Sequence, residues 1–450
     1  MMRKIAIIGA GQAGLLTAHG LLKAGYTVSL YSDKTPEQFL NEGRPTGTAV
    51  RFEPALAYER ELGLNFWDDE APKIDGVRFR LGLKPHNTLI RLNGRIANPA
   101  YGIDLRLQSH RWLNEFVARG GQLHVEQVSV DRLDEIAAVH DLVVVAAGRG
   151  ALQKLFPRNA ERSVYDKPQR NLAMIVVKGP SMQVPDITYS PVCYNAILSE
   201  GEAFWVPYHH KTLGSTWNMV IEAKPGRGFD RFGTVTSGAE AVSVFKEIIR
   251  DFFPADYQWA KNMELADPNG WLVGRFAPTV RNAVGTLPSG RVVTGVGDAL
   301  MSLDPVGGQG ANNGNKMARH LVQSIVEHGE RPFSANWMTE TFERFYADHG
   351  EITNRFNNLL LEEVPDAGKE LLIAQHGSDG HVNGAYGKQA IADAFCHNFE
   401  DPRTLTNAFE DMSLARTIIS ERMQEPWWWS ALNGRLAVGR DQIRQRFAFG

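Results

Sequence analysis

The first residues constrain the fold most. Residues 4 to 8, Lys-Ile-Ala-Ile-Ile, run into Gly9-Ala-Gly11-Gln-Ala-Gly14, and an apolar helical pattern follows at once. A short, β-branched, uninterrupted apolar run reads as a buried strand. Residues 15–24 place Leu15, Ala18, Leu21 and Leu22 on one helical face, and Gly25 is the expected C-terminal cap. Residues 26–31 form a second strand, so the segment is a βαβ unit. Each glycine has a reason in this setting. Gly9 permits the tight turn, Gly11 lets backbone approach a pyrophosphate, and Gly14 lets helix and strand pack closely. The amides at the helix start, around Gln12 and Ala13, face the phosphates, where the helix dipole favours negative charge. A dinucleotide-binding α/β domain is the expectation. The motif also calls for an acidic residue near the end of the second strand, which reads Tyr31-Ser32-Asp33. Asp33 is the candidate, with a turn aspartate before Lys34 as the alternative.

The rest of the composition excludes more than it proposes. A chain of 450 residues exceeds what one core usually holds, so two or three subdomains are expected. A net charge of -3 points to no nucleic-acid or membrane partner. Two cysteines, Cys193 and Cys396, cannot build a disulfide framework and do not resemble a metal cluster, so no metal is expected. The four-residue apolar run after Met1-Met2-Arg3-Lys4 is too short for a signal-peptide core. No later stretch approaches the ~18 apolar residues of a membrane span. A cytoplasmic enzyme is the expectation.

A second glycine-rich piece lies far downstream. Residues 292–297 read as a buried strand that closes on Gly295-Val-Gly297-Asp298-Ala299. Asp304-Pro305-Val306-Gly307-Gly308-Gln309-Gly310-Ala311-Asn312-Asn313 then opens a helix over 312–326. Glycines let backbone lie against a flat ring. A helix N-terminus can stabilise the negative charge of a reduced flavin. Two such motifs in this order point to FAD. Between them, 34–100 is irregular and 106–119 reads as a helix ended by Gly120-Gly121. Asp141-Leu-Val-Val-Val-Ala-Ala147-Gly148 is a further buried strand, and 170–260 mixes strand-like runs with turns. From 335 onward the pattern is mostly helical. The FAD domain is therefore expected to be discontinuous, over 1–165 and 270–330, with 50–100 partly facing substrate. A substrate-binding domain is expected at 166–269 and a helical C-terminal region at 331–450.

The second motif resembles the flavoprotein monooxygenases, in which the Asp of Gly-Asp binds the ribityl chain. The whole order resembles the oxygenase component of the styrene and indole monooxygenases. It includes the Asp104-Leu-Arg106-Leu helix start, the strand ending at Gly148, and Lys167-Pro168-Gln169-Arg170 before a strand. The likeness covers most of residues 1 to 330. It implies an α/β fold: a Rossmann-like FAD-binding domain of the glutathione-reductase type, as in aromatic hydroxylases, with an inserted β-rich substrate domain and a helical C-terminal region. It implies FAD contacts at Gly9, Gly11, Gln12, Ala13, Gly14, Asp33, Arg44, Arg106, Ala147, Gly148, Gly297 and Asp298. A second group of contacts is Pro305, Gly308, Gln309, Gly310, Ala311 and Asn312. In the resembled family the loop after the second strand lies next to the isoalloxazine. Here it reads Arg44-Pro-Thr46-Gly47-Thr48-Ala-Val-Arg51 and departs from the styrene and indole patterns. Thr46, Gly47, Thr48 and Arg51, with Pro305 and Gly308, are the candidates around the reacting centre. Arg51 faces either an anionic substrate group or solvent.

No Asp-Gly follows the 141–148 strand, and no second nucleotide-binding unit is visible. The resemblance and this absence both imply that a separate NAD(P)H:flavin reductase supplies reduced FAD. The expected chemistry is epoxidation of a small aromatic alkene such as styrene or indole by O2, through a flavin C4a-(hydro)peroxide. Tyr194, Phe204, Trp205 and Tyr208, with Trp217, are candidate aromatic walls of the pocket, or core residues. Three alternatives stay open: a single-component NAD(P)H-dependent hydroxylase, an amine oxidase, or a non-oxygenating cyclase. Trp427-Trp428-Trp429 is a candidate core cap, homodimer contact or reductase contact.

Overall fold

The computed structural model describes residues 3–47, 50–85, 87–148, 150–185, 187–376 and 390–448. The chain divides into two compact units. The first gathers Met1–Asp69, Ile103–Pro168 and Phe276–Asn357; the second gathers Glu70–Gly102, Gln169–Arg275 and Asn358–Gly450.

The first unit is built on a six-stranded sheet. Its order is Val284–Thr286, Val292–Gly295, Leu142–Val145, Lys4–Ile8, Thr27–Ser32, Gln122–Val125. Lys4–Ile8 lies centrally, parallel to both of its neighbours, with Ile7 opposite Leu30 and Val144. Ile5, Ala6, Ile7 and Ile8 are all buried, as expected of a parallel strand covered on both faces. Each of the three isoleucines contributes about 1.5–3 kcal/mol relative to exposure. Among the described residues, the antiparallel pairing in this sheet is the edge hairpin of Val284–Thr286 with Val292–Gly295.

Helix Gln12–Lys23 starts at Gly11 and buries Leu15, Leu16, Ala18 and Leu21. It stops where expected. Gly25 takes φ +88°, its N–H bonds Leu22 O at 3.0 Å, and Tyr26 N bonds Leu21 O at 3.0 Å. Helix Leu105–Ala118 starts at Asp104, whose side chain accepts from Arg106 N. Helix Gln309–His328 has Gly308 as its N-cap and begins three residues earlier than the apolar pattern suggests. The reason is that its first turn is made of glycine and polar residues. The stretch 34–100, which reads as irregular, contains helices Pro36–Glu42 and Glu53–Glu61 in this unit.

The second unit holds a mixed sheet ordered Glu264–Leu265, Asn171–Lys178, Gly214–Ala223, Gly201–His210, Pro191–Ile197, Ile74–Gly82, Ile90–Gly102. Trp271–Gly274 also pairs with Asn171–Lys178. Every residue of Gly201–His210 is buried. One face packs against helix Gly238–Phe252 through a core that includes Trp205, Trp217, Met219, Phe245, Ile248 and Ile249. That helix is absent from the expectation of strands and turns for 170–260. It is nonetheless legible, because Ala241, Phe245, Ile248, Ile249 and Phe252 repeat at helical spacing and are buried. Its N-terminus is capped reciprocally: Glu240 N donates to Ser237 Oγ at 3.3 Å and Thr236 N donates to Glu240 Oε2 at 2.8 Å. Among the described residues no helix is long and apolar enough to cross a membrane.

Candidate active site

The two glycine-rich motifs meet in the first unit. Gly9 takes φ +116°, and a Cβ there would lie 3.1 Å from Ala146 C and 3.2 Å from Ala147 N. A Cβ on Gly14 would sit 2.1 Å from Gly9 O, so the helix can approach the strand end only without a side chain at that position. The second motif closes on the same place. Gly297, at φ +63°, leaves 2.8 Å between a built Cβ and the Cβ of Ala13, and a Cβ on Gly148 would be 2.6 Å from the Asp298 Cβ. Gln12 Nε2 reaches Ala311 O at 3.4 Å. Residues some 300 positions apart in sequence thus form one rim.

Other glycines of the motifs are there for space. A Cβ on Gly11, Gly308 or Gly310 would meet no protein atom within 4 Å. Gly11 is the uncapped start of one helix, and Gly308, at φ +61°, is the uncapped start of another. Asp298 is exposed beside them. Gln12 Oε1 is buried and receives no hydrogen bond. An open cradle lined by two helix starts, an exposed carboxylate and an orphaned carbonyl fits FAD: amides for its phosphates, acceptors for its hydroxyls, and bare backbone for its ring.

Asn312 fixes the next layer. Its Nδ2 donates to Val50 O and Gly308 O, each at 2.9 Å, and its Oδ1 accepts from Phe52 N at 2.9 Å. Arg51, between those two residues, is fully buried, and its Nε lies 2.6 Å from Glu59 Oε1. Glu59 Oε1 also accepts from Asn315 Nδ2 at 3.0 Å. Burial pushes the Glu59 carboxyl up, while the Arg51 guanidinium and the Asn315 amide pull it back. Gln309 is buried and donates to Gly307 O at 2.9 Å. Asp304 Oδ1 accepts from Val306 N at 3.2 Å and shapes the Pro305–Gly307 turn, on which Pro305 is exposed.

Arg44 and Thr46 are exposed, Gly47 is half-buried, and Thr48 lies outside the described residues. Asp33 is exposed and pairs with Lys34 Nζ at 2.5 Å. Arg106 is buried and bonds Asp104 with two nitrogens, at 2.9 and 2.7 Å. In the second unit, Tyr194 and Phe204 pack ring to ring at 4.5 Å, with Phe79 5.1 Å from Tyr194. Tyr208, two strand repeats along, shares their face. Trp205 points to the opposite face, into the hydrophobic core, and its Nε1 donates to Asp256 Oδ2 at 2.6 Å. Trp217 lies in the same core. His210, beside His209, pairs with Asp267 at 2.8 Å. Trp428 and Trp429 are exposed on helix Trp427–Ala448. Asn315 and Glu59 were not singled out by the sequence. The polar run Asn312-Asn313-Gly314-Asn315 inside a helix, all of it buried, was the available signal.

Residues 148–258 match the family model described as "Styrene monooxygenase A putative substrate binding domain". The chain is 26% identical over 421 residues to styrene monooxygenase StyA of Pseudomonas fluorescens, spanning 91% of this chain and 95% of that one. This chain is similar to the oxygenases of the styrene monooxygenase type. Solved structures agree on the fold. A flavoprotein/dehydrogenase from Cytophaga hutchinsonii superposes with a TM-score of 0.63 at 13% identity, covering 93% of this chain and 99% of that one. The p-nitrophenol 4-monooxygenase PnpA from Pseudomonas putida DLL-E4 gives 0.55 at 15%, covering 96% and 99%. The fold is Rossmann-like, of the FAD-binding type, with an inserted domain.

Proposed function

We propose that this chain, an FAD-dependent monooxygenase of the styrene monooxygenase type, is the oxygenase half of a two-component system acting on a small aromatic alkene such as styrene or indole. The observation that carries the reading is the single cradle formed by the two glycine motifs, in a chain whose residues 148–258 match a substrate-binding domain of that type. We assign FAD binding to the first unit and substrate binding to the second.

Reduced FAD, when bound, supplies the chemistry that activates O2 and delivers one oxygen atom to the alkene, the other leaving as water. The chain's part is to bind, orient and stabilise. The amides at the starts of helices Gln12–Lys23 and Gln309–His328 hold anionic groups. Asp298 accepts from hydroxyls. Gly308 and Gly310 leave backbone bare against the ring. Asn312 keeps residues 50–52 fixed to the start of the second helix. Tyr194, Phe204 and Tyr208 share one buried sheet face, against which Phe399 also packs, and we assign them as walls for an aromatic substrate. Epoxidation needs no nucleophile and no acid–base pair from the protein, so the lack of a recognisable triad is consistent with it.

The test is to mix the purified chain anaerobically with chemically reduced FAD, then add oxygenated buffer containing styrene or indole. Styrene oxide or indigo, in proportion to the reduced FAD supplied, is the expected product. Quantitative conversion of the O2 to H2O2 with no oxygenated product from either compound would overturn the substrate reading.

A further inference from the structure

The structure contains a directed chain of buried polar groups that ends at Gln12, in the first glycine motif. It begins at Arg51, a guanidinium that can only donate. Arg51 Nε lies 2.6 Å from Glu59 Oε1, with both side chains buried. A carboxyl oxygen that faces a guanidinium at this distance can only accept. Asn315, fully buried, must therefore turn its NH2 toward Glu59, and Asn315 Nδ2 does donate to Glu59 Oε1 at 3.0 Å. The same NH2 is 3.4 Å from Ala55 O, a second acceptor. With both donors directed there, Asn315 can offer only Oδ1 on its other side, where it accepts from Gln12 Nε2. Gln12 in turn has its NH2 held by Asn315 Oδ1 and Ala311 O. What is left of Gln12 is its carbonyl, Oε1, which is buried and has no protein partner.

We propose that Asn315 and Glu59 are positioning residues that fix the Gln12 carboxamide with its carbonyl toward the bound cofactor, where it accepts from an FAD hydroxyl. None of the three interactions behind Gln12 needs FAD to be present, so the orientation is set before binding. A carboxamide free to rotate would offer NH2 and C=O alternately, and would lose part of its hydrogen bond to the cost of being ordered. The chain also explains why a buried Arg–Glu pair sits beneath a nucleotide turn. A buried pair is weak evidence of stabilisation by itself, and fixing a direction is a role that a hydrophobic pair could not fill. The inference rests on the FAD reading of the cradle.

The test compares oxidised-FAD affinity, measured by flavin fluorescence, with the melting temperature of the apoprotein. The proteins are wild type, Asn315→Leu, Gln12→Leu and the double variant. Asn315→Leu keeps the branching at Cγ, with added bulk whose cost the apoprotein's melting temperature reports, and leaves Glu59 paired with Arg51. Loss of one oriented hydrogen bond weakens FAD binding by about five- to tenfold. Each single variant is expected to lose about this much, and the double variant no more than Gln12→Leu alone, since the same bond is removed. Additive losses, or an Asn315→Leu protein with a lower melting temperature but wild-type FAD affinity, would reduce Asn315 to a structural residue and overturn the proposal. The FAD reading fails separately: wild-type protein that retains neither oxidised FAD nor, in anaerobic ultrafiltration, reduced FAD would sink that reading itself.

Discussion

At the scale of single residues, the cradle's glycines divide into those that are packed and those that are open, and the two kinds predict different failures. A methyl group at Gly14 would lie 2.1 Å from Gly9 O and 2.9 Å from the Ala146 Cβ. Gly14→Ala must push helix from strand, with an expected stability cost of about 1–3 kcal/mol along with lost FAD binding. Gly11, at φ -75°, can take alanine without strain and with nothing to strike. Gly11→Ala is therefore expected to leave the apoprotein's melting temperature unchanged and to weaken FAD at least about tenfold, because the cofactor approaches there. Equal effects of the two substitutions on the apoprotein would contradict this division. A second residue effect is a pH dependence. Burial pushes His19 down to about 4, although its hydrogen bond to Trp112 O, at 2.9 Å, opposes the shift. The fold therefore keeps a neutral imidazole where the unfolded chain would take a proton. Stability attributable to His19 is complete above pH 6.5 and is lost as pH falls toward 4. The full loss is about 3 kcal/mol at 1.36 kcal/mol per pKa unit. In His19→Gln, the difference in unfolding free energy between pH 7 and pH 4.5 should shrink by about 2 kcal/mol, and an unchanged difference would refute the assignment.

At the scale of elements, the sequence discloses what repeats or what only glycine can do. The strand 4–8, the turn and the first helix were legible together because a parallel buried strand, a phosphate turn and a capped amphipathic helix each leave a local mark. Strand Gly201–His210 was less so. It is buried on both faces and includes Glu202, whose two oxygens are taken by Arg170 Nε and Nη2 at 2.7 and 3.0 Å, so no alternation marks it. Pairings across sequence were invisible for the same reason that makes them strong: the partners are far apart. Asp256 joins Arg78, 178 positions away, to Trp205 and Asn195, with oxygen–nitrogen distances of 2.7, 2.6 and 3.3 Å. Burial alone would raise this carboxyl, but Arg78 and Arg80 hold it below the usual carboxylate range. Asp256→Ala leaves the buried Arg78 without its counter-charge and is expected to cost about 3–5 kcal/mol. A thermal melt followed by tryptophan fluorescence should show a large drop in the second unit's transition. The conservative Asp256→Asn, which still accepts from Trp205, should fall between the variant and wild type. An Asp256→Ala protein that melts like wild type would mean the cluster is solvated in solution.

At the scale of the whole molecule, the chain crosses between its two units five times. The motif at 9–14 and the motif at 297–312 can serve one FAD only if the intervening segments leave and return, which is why the glycines alone suggest a discontinuous FAD domain. What the glycines could not show is how the later chain is shared: 335–345 joins the first unit, while 358–450 joins the second. The reductase question belongs to this scale as well. Direct use of NAD(P)H needs a second binding site whose nicotinamide reaches the same flavin. The sequence offers one phosphate turn of the strand–glycine–helix kind, at 9–14, and the structure builds that turn and the 297–312 motif into a single rim. If both motifs serve one FAD, neither is left over for a nicotinamide. The purified chain, given FAD, NADH or NADPH, and styrene in air, is then expected to leave absorbance at 340 nm unchanged apart from a drift no faster than free FAD gives. Adding an unrelated NADH:flavin reductase should start NADH consumption and oxygenated product together. Substrate-dependent NADH oxidation by the chain alone, at a rate matching product formation, would overturn the two-component reading and restore the single-component hydroxylase.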